Sequence, residues 1–326
     1  MHVNEDASNR ESKEYVVAPI SGDFKGIVPP VVTPFTDDDE VDVASLERVV
    51  RFLLDGGVHG LFALGSTSET ALLTDRQRAT VIETIVSVAA GQVPVLAGVI
   101  DMSTARSIEH AQVADRLGVD GLVLTAPYYV RPGVSEIKAH FQTIHEAVGL
   151  PILAYDIPFA VQTKLDRWLV LAMAKEGLIV GLKDSSGDEA NFRALVAEAR
   201  QTVSPFATFT GSELVVDLAL IAGASGCVPG LGNVDPAGYV RLYDLVHAGD
   251  LAAARCEQER LIRLFAIIGA GSPERMGFSA SALGGFKTAL VLRGVIGSNK
   301  MGRPLNSYNA EEIAKVQAIL QESGLL

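Results

Sequence analysis

The chain of 326 residues carries 27 basic and 39 acidic side chains, a net charge of -12, so most of its surface repels nucleic-acid phosphates and anionic lipid. Its composition, 48% apolar, 20% charged and 6% aromatic, is that of a globular protein, neither disordered nor fibrous. At about 150 residues per domain the length implies two domains or one large one.

Residues 1–25 read as an N-terminal extension. The charges of Glu5, Asp6, Arg10, Glu11, Lys13 and Glu14 come before the short patch Tyr15-Val16-Val17-Ala18, which is not the pattern of a signal peptide. Eight short β-rich apolar runs follow, at 27–28, 60–64, 93–97, 121–124, 151–155, 178–182, 206–209 and 226–228. Helical periodicity fills the gaps, as in Leu46, Val49, Val50, Leu53 and Leu54, or Val81, Ile82, Ile85 and Val86. Strand and helix alternating eight times predict an α/β fold, a (β/α)8 TIM barrel over 26–236. An open doubly wound sheet needs a glycine-rich turn after the first strand, where Pro29-Pro30 stands instead. The apolar stretch at 214–221 is broken by Asp217, well short of the ~18 residues of a membrane span. From 237 to 326 the pattern is helical, with stretches at 237–246, 251–268, 281–293 and 310–322 forming a C-terminal helical region. Cys227 and Cys256 stand in no metal or redox spacing and indicate a reducing, cytoplasmic setting.

A barrel of this kind places its active site at the C-terminal ends of the strands. Four polar segments follow the apolar runs there: Gly65-Ser66-Thr67-Ser68-Glu69, Pro127-Tyr128-Tyr129, Tyr155-Asp156-Ile157-Pro158 and Lys183-Asp184-Ser185-Ser186-Gly187. Lys183 is the sharpest candidate, because a lysine ending a buried strand must desolvate its ammonium or lose its proton. Moving a lysine from its usual ~10.4 to near 7 costs about 4 to 5 kcal/mol and yields an amine that attacks ketones. The competing structural reading is a lysine that snorkels to solvent or pairs with Asp184. Tyr155 offers a phenol for proton transfer, or simply packs under the rim. Ser66 and Thr67 offer hydroxyls and N–H groups at a helix start that suit a carboxylate, although Ser66 to Glu69 also has the form of a capping box. The loop 226–232 is a candidate phosphate site, whereas Gly230-Leu231-Gly232 carries no nucleotide signal. Six histidines show no ligand spacing, so no metal is expected.

In chain order, Val32-Thr33-Pro34-Phe35, Gly65-Ser66-Thr67-Ser68-Glu69 with Leu73-Thr74, Pro127-Tyr128-Tyr129, Tyr155-Asp156-Ile157-Pro158, Gly181-Leu182-Lys183-Asp184 and Phe286-Lys287-Thr288-Ala289-Leu290 resemble the dihydrodipicolinate synthase and N-acetylneuraminate lyase superfamily of Schiff-base aldolases. The resemblance runs from about residue 26 to the C-terminus. It implies that Lys183 forms an iminium with pyruvate, with no further cofactor and no metal. It further implies that Tyr155 shuttles the proton, that Ser66 and Thr67 bind the carboxylate and relay protons, and that Gly211 and Val228 lie near the oxo acid. Tyr129 resembles the tyrosine that reaches into a neighbouring subunit, which implies a homodimer or homotetramer.

Departures from the synthase pattern bear on the substrate. Synthases of this superfamily carry an arginine two residues after the proline of Tyr-x-x-Pro, clamping the aldehyde's carboxylate; here Phe159-Ala160 follows Pro158, and Lys164 is the one nearby cation. Asp75, Arg78, Met102 and Arg106 do not reproduce the polar set of a lysine-regulated synthase, and Ile100 and Ser68 replace usual glycines. The function expected is that of a class I aldolase or lyase acting on a 2-oxo-3-deoxy sugar acid or related 4-hydroxy-2-oxo acid to give pyruvate and an aldehyde, or of a dehydratase on the same iminium. The close alternative is 4-hydroxy-tetrahydrodipicolinate synthase, and the remote one is a barrel that binds an oxo acid without turnover. Nucleic acid and membrane are not expected partners.

Overall fold

The computed structural model describes residues 20–326; the extension before residue 20 lies outside them. Eight parallel strands are present: β1 (Gly26–Ile27), β2 (Leu61–Ala63), β3 (Val95–Gly98), β4 (Gly121–Leu124), β5 (Ile152–Asp156), β6 (Gly181–Asp184), β7 (Ala207–Thr210) and β8 (Gly226–Cys227). They pair in the order β1-β8-β7-β6-β5-β4-β3-β2. The ring closes between its ends through a parallel bridge from Pro30 to Phe62. Pro29 and Pro30 explain why this closure is a single bridge, since neither has an N–H to extend the ladder. Their carbonyls still take part: Phe62 N donates to Pro29 O at 3.0 Å, and the Asn233 side-chain amide donates to Pro30 O at 2.8 Å. Every strand residue is buried, as expected of a parallel sheet with helices outside and packed side chains within.

The helices are α1 (Val43–Asp55), α2 (Asp75–Ala89), α3 (Thr104–Arg116), α4 (Val134–Ala147), α5 (Pro158–Val161), α6 (Arg167–Lys175), α7 (Glu189–Thr202), α8 (Val216–Ile221), α9 (Pro236–His247), α10 (Leu251–Phe265), α11 (Phe278–Leu292) and α12 (Ala310–Glu322). In α1 the residues Leu46, Val49, Val50 and Leu53 form the buried stripe, and Asp42 caps its start by accepting from Ser45 N at 3.0 Å. A complete capping box of Thr74 and Gln77 begins α2. After β8, α9 packs on β1 and beside α8, which is the place of an eighth outer helix. Helices α10, α11 and α12 pack together beyond it, and one face of α11 lies across the C-terminal mouth of the barrel. Among the described residues, no helix is long and apolar enough to cross a membrane, and no group of three or more His, Cys, Asp or Glu is arranged to hold a metal ion.

Candidate active site

The strand pleat decides which residues at the barrel mouth face inward. Tyr155 on β5 and Lys183 on β6 are direct neighbours in register and both line a cavity of about 430 Å³ at the C-terminal end of the barrel. The residues that follow them, Asp156 and Asp184, turn the other way by alternation. Asp184 accepts from Ser186 N at 2.8 Å, while Asp156 accepts from Leu165 N at 3.0 Å and pairs with Lys164. Lys164 also lies 3.8 Å from Asp184. Its ammonium is therefore held by two carboxylates outside the ring and is not free to replace the arginine of the synthase pattern.

Lys183 is 5% exposed. Its Nζ sits 4.0 Å from the centroid of the Tyr155 ring and 5.1 Å from that of Phe62, and no ion pair or hydrogen bond among the described residues includes it. The same cavity is lined by Ser66, Thr67, Gly211 and Val228, so six of the seven site residues expected from the sequence converge on one space. Gly211 allows the β7 loop to approach β6, because a Cβ there would press on the Ser185 side chain and the Asp184 carbonyl.

Tyr129 stands apart. It is 91% exposed and adopts φ 69° in the loop after β4, while its neighbour Tyr128 lines a side lobe of about 310 Å³. That lobe shares the walls Ser66, Ile157, Ser279 and Leu283 with the main cavity. Leu64, Glu69 and Gln162 also adopt positive φ of 57° to 59° in the loops after β2 and β5. Non-glycine residues in this region cost on the order of 1–3 kcal/mol each, and these four cluster around the mouth.

The segment Gly65 to Glu69 corrects one expectation. It does not open a helix with a capping box. Ser66–Ser68 is a single 3-10 turn whose start, Gly65, has no side-chain cap, and Glu69 is left-handed. Glu69 is used elsewhere: it forms a fully buried ion pair with Lys287 of α11 and accepts from Gly302 N at 2.7 Å. Lys287 completes its coordination on Lys300 O at 2.9 Å and over the ring of Phe35. Burial lowers the Lys287 pKa and the Glu69 charge opposes that shift. The turn that carries Ser66 and Thr67 is thus anchored to the far end of the chain.

Glu213, at the second position after Gly211, belongs to the cavity although it stands in none of the four polar segments. It lines the main cavity, where Leu231 N and Tyr239 Oη each donate to its Oε1 at 2.8 Å. Burial pushes its pKa up to about 7, against the hydrogen bonds from Tyr239, Leu231 and Gly230 and the charge of Lys183. Its place just past the end of β7 is the sequence signal that identifies it. No such signal marked the apolar roof: Phe159 and Phe278, 70% and 63% exposed, meet edge to face at 5.8 Å over the mouth. Phe265, Ile268, Leu283 and Phe286 line the wall with them.

Comparison with known proteins agrees with this geometry. The profile of the dihydrodipicolinate synthetase family matches residues 23–323. An uncharacterized DapA-like lyase of Halobacterium salinarum is 33% identical over 95% of this chain and 98% of its own length. A 4-hydroxy-tetrahydrodipicolinate synthase of Phenylobacterium zucineum is 32% identical over 93% and 98%. Among solved structures, a prophage protein of E. coli K12 from the dihydrodipicolinic acid synthase family, in complex with pyruvate, superposes with a TM-score of 0.87 at 27% identity, covering 93% of this chain and 99% of its own. The dihydrodipicolinate synthase of Bacteroides thetaiotaomicron gives 0.86 at 31% identity, covering 92% and 98%. With a profile matched from one end of the barrel to the last helix, the chain belongs to the dihydrodipicolinate synthetase family of lysine Schiff-base lyases.

Proposed function

We propose that Lys183 condenses with pyruvate and that the resulting iminium makes or breaks the bond to C4 of a 4-hydroxy-2-oxo acid. The single observation that carries this reading is a buried strand-end amine with no carboxylate partner, set on a cavity floor beside the hydroxyls of Tyr155, Ser66 and Thr67. The amine adds to the keto carbon and water leaves, giving the iminium. A proton lost from C3 sends its electron pair into the iminium and forms the enamine. The enamine carbon then attacks an aldehyde, whose oxygen takes up a proton. Water hydrolyses the iminium, releasing the 4-hydroxy-2-oxo acid and restoring the amine. Cleavage is the same sequence reversed.

In this scheme Tyr155 carries the proton at the oxygen that leaves or arrives. Ser66 and Thr67 hold the pyruvate carboxylate, and Gly211 and Val228 leave room for its methyl group. The exposure and left-handed backbone of Tyr129 support a role in a neighbouring subunit's site, hence a homo-oligomer. Sugar acids are one group of candidate substrates and the synthase reaction is the alternative, but Ala160 and the engaged Lys164 leave aspartate semialdehyde without a clamp.

Incubation with pyruvate and borohydride, followed by mass measurement of the intact chain, tests the imine. Wild type is expected to gain one reduced pyruvate, and Lys183→Ala none. An unmodified wild-type chain, or an adduct that persists in Lys183→Ala, would overturn the assignment.

A further inference from the structure

We infer that the aldehyde partner is uncharged and largely apolar, with room for a single hydroxyl, and that its side chain lodges in the lobe beside Ala160. The inference rests on the pyruvate imine proposed above. Charge is the first ground. Among the described residues lining the main cavity and the lobe, Lys183 is the sole basic side chain, and the imine engages it. A second carboxylate would enter a space bordered by Glu69 and Glu213 with no cation to receive it, and a buried unpaired charge is strongly unfavourable.

The lining is the second ground. Leu72, Ile100, Val161 and Leu305 face the lobe, and Ile157 and Leu283 form the passage from it to the main cavity. Ser66, Tyr128 and Ser279 are on its wall too, but a polyol placed there would exchange water for hydrocarbon at most of its hydroxyls. Two hydroxyls on the lobe wall do lack a partner: Thr70 Oγ1 and Thr125 Oγ1, on side chains 5% and 1% exposed. Buried donors without partners are rare in folded proteins. A χ1 rotation that turns either threonine hydroxyl into the lobe would pair it with one neutral hydroxyl or carbonyl oxygen on an otherwise apolar frame. Glu69, the lobe's carboxylate, is already taken by Lys287 and Gly302. The Phe159 and Phe278 rings at the mouth extend the same apolar lining towards solvent.

The chemistry needs nothing beyond the steps given above. The enamine carbon bonds to the aldehyde carbon, the aldehyde oxygen gains a proton, and water frees the product. No oxidant or reductant takes part.

The test measures condensation with pyruvate, as kcat/KM for the aldehyde, with benzaldehyde, 3-hydroxybenzaldehyde, glyceraldehyde and aspartate semialdehyde. Borohydride trapping of pyruvate alone is run first, so that loss of the imine is distinguished from a wrong acceptor. The aromatic aldehydes are expected to exceed the other two by at least about 10-fold, the scale on which apolar pockets discriminate. Ala160→Arg, at an exposed position, is expected to lower 3-hydroxybenzaldehyde turnover about 10-fold and raise that of aspartate semialdehyde, with the urea midpoint as a folding control. A trapped adduct combined with equal or better use of glyceraldehyde or aspartate semialdehyde by the wild type would overturn the inference. So would an Ala160→Arg variant that folds and leaves the preference unchanged, and absence of the adduct would remove its foundation.

Discussion

Two lysines are buried at the mouth of this barrel, and their surroundings differ in kind. Lys287, with no exposed surface, has a carboxylate at Glu69, a carbonyl at Lys300 and an aromatic face at Phe35. Lys183, at 5%, has aromatic faces at Tyr155 and Phe62 and, among the described residues, no carboxylate partner. Taking an ammonium out of water is expensive in both places, and only at Lys287 does a paired counter-charge compensate for it. Lys287 is surrounded by groups that satisfy it, whereas Lys183, the amine proposed to carry the chemistry, has an unused nitrogen facing a cavity.

Removing the Lys183 amine affects the proposed chemistry most. Lys183→Met is expected to lower kcat for pyruvate condensation on the order of 10⁴-fold or more, because among the described residues no other lysine lines the cavity. Its urea midpoint is expected to match or exceed that of wild type, since no partner is orphaned. A midpoint lowered as far as that of a Lys287 variant would make the two lysines equivalent and the distinction wrong.

Next in size is the structural side. Lys287→Met leaves Glu69 buried and unpaired and is expected to cost about 3–5 kcal/mol in urea unfolding. The double variant Lys287→Met, Glu69→Leu is expected to regain much of that loss. Its activity should stay reduced, because the turn bearing Ser66 and Thr67 loses its tie to Gly302.

The smallest effect sharpens the contrast through Glu213, which lines the same cavity as Lys183. Its carboxyl is raised from 4.5 to about 7 in the folded protein, so between those values the native state binds more protons than the unfolded chain. Stability is then expected to fall as pH rises from about 4.5 through about 7, by about 3 kcal/mol in total. Glu213→Gln should flatten that slope in urea titrations at several pH values. An unchanged slope would mean that Glu213 ionises normally and that Lys183 has a carboxylate facing it after all.

Much of the candidate site was legible because barrels place function at strand ends. Lys183, Tyr155, Ser66 and Thr67 each end or follow an apolar run, and family motifs accompany them. Glu213 follows β7 in the same way and was readable by the same rule. Other parts were not readable. Ser66 to Glu69 has the local form of a capping box, but the favourable partner for Glu69 is Lys287, and Gly302 lies 233 positions away. Lys164 looks from the sequence like a free cation near the site, and only the outward turn of Asp156 and Asp184 shows that it is engaged. Phe278, Leu283 and Phe286 belong to a helix that reads as part of an appended region, yet they line the cavity.

By itself the sequence determined the alternation of eight strands with helices, the end of the barrel at which chemistry can occur, and the lysine that ends β6. These follow from periodicity and from short motifs, which depend on neighbours within a few residues. The tertiary structure alone decided which charges are paired, which hydroxyls lack partners and how apolar the space around Lys183 is. Those properties arise where segments far apart in the chain are packed together, and a side chain's charge and reactivity depend on what surrounds it in space.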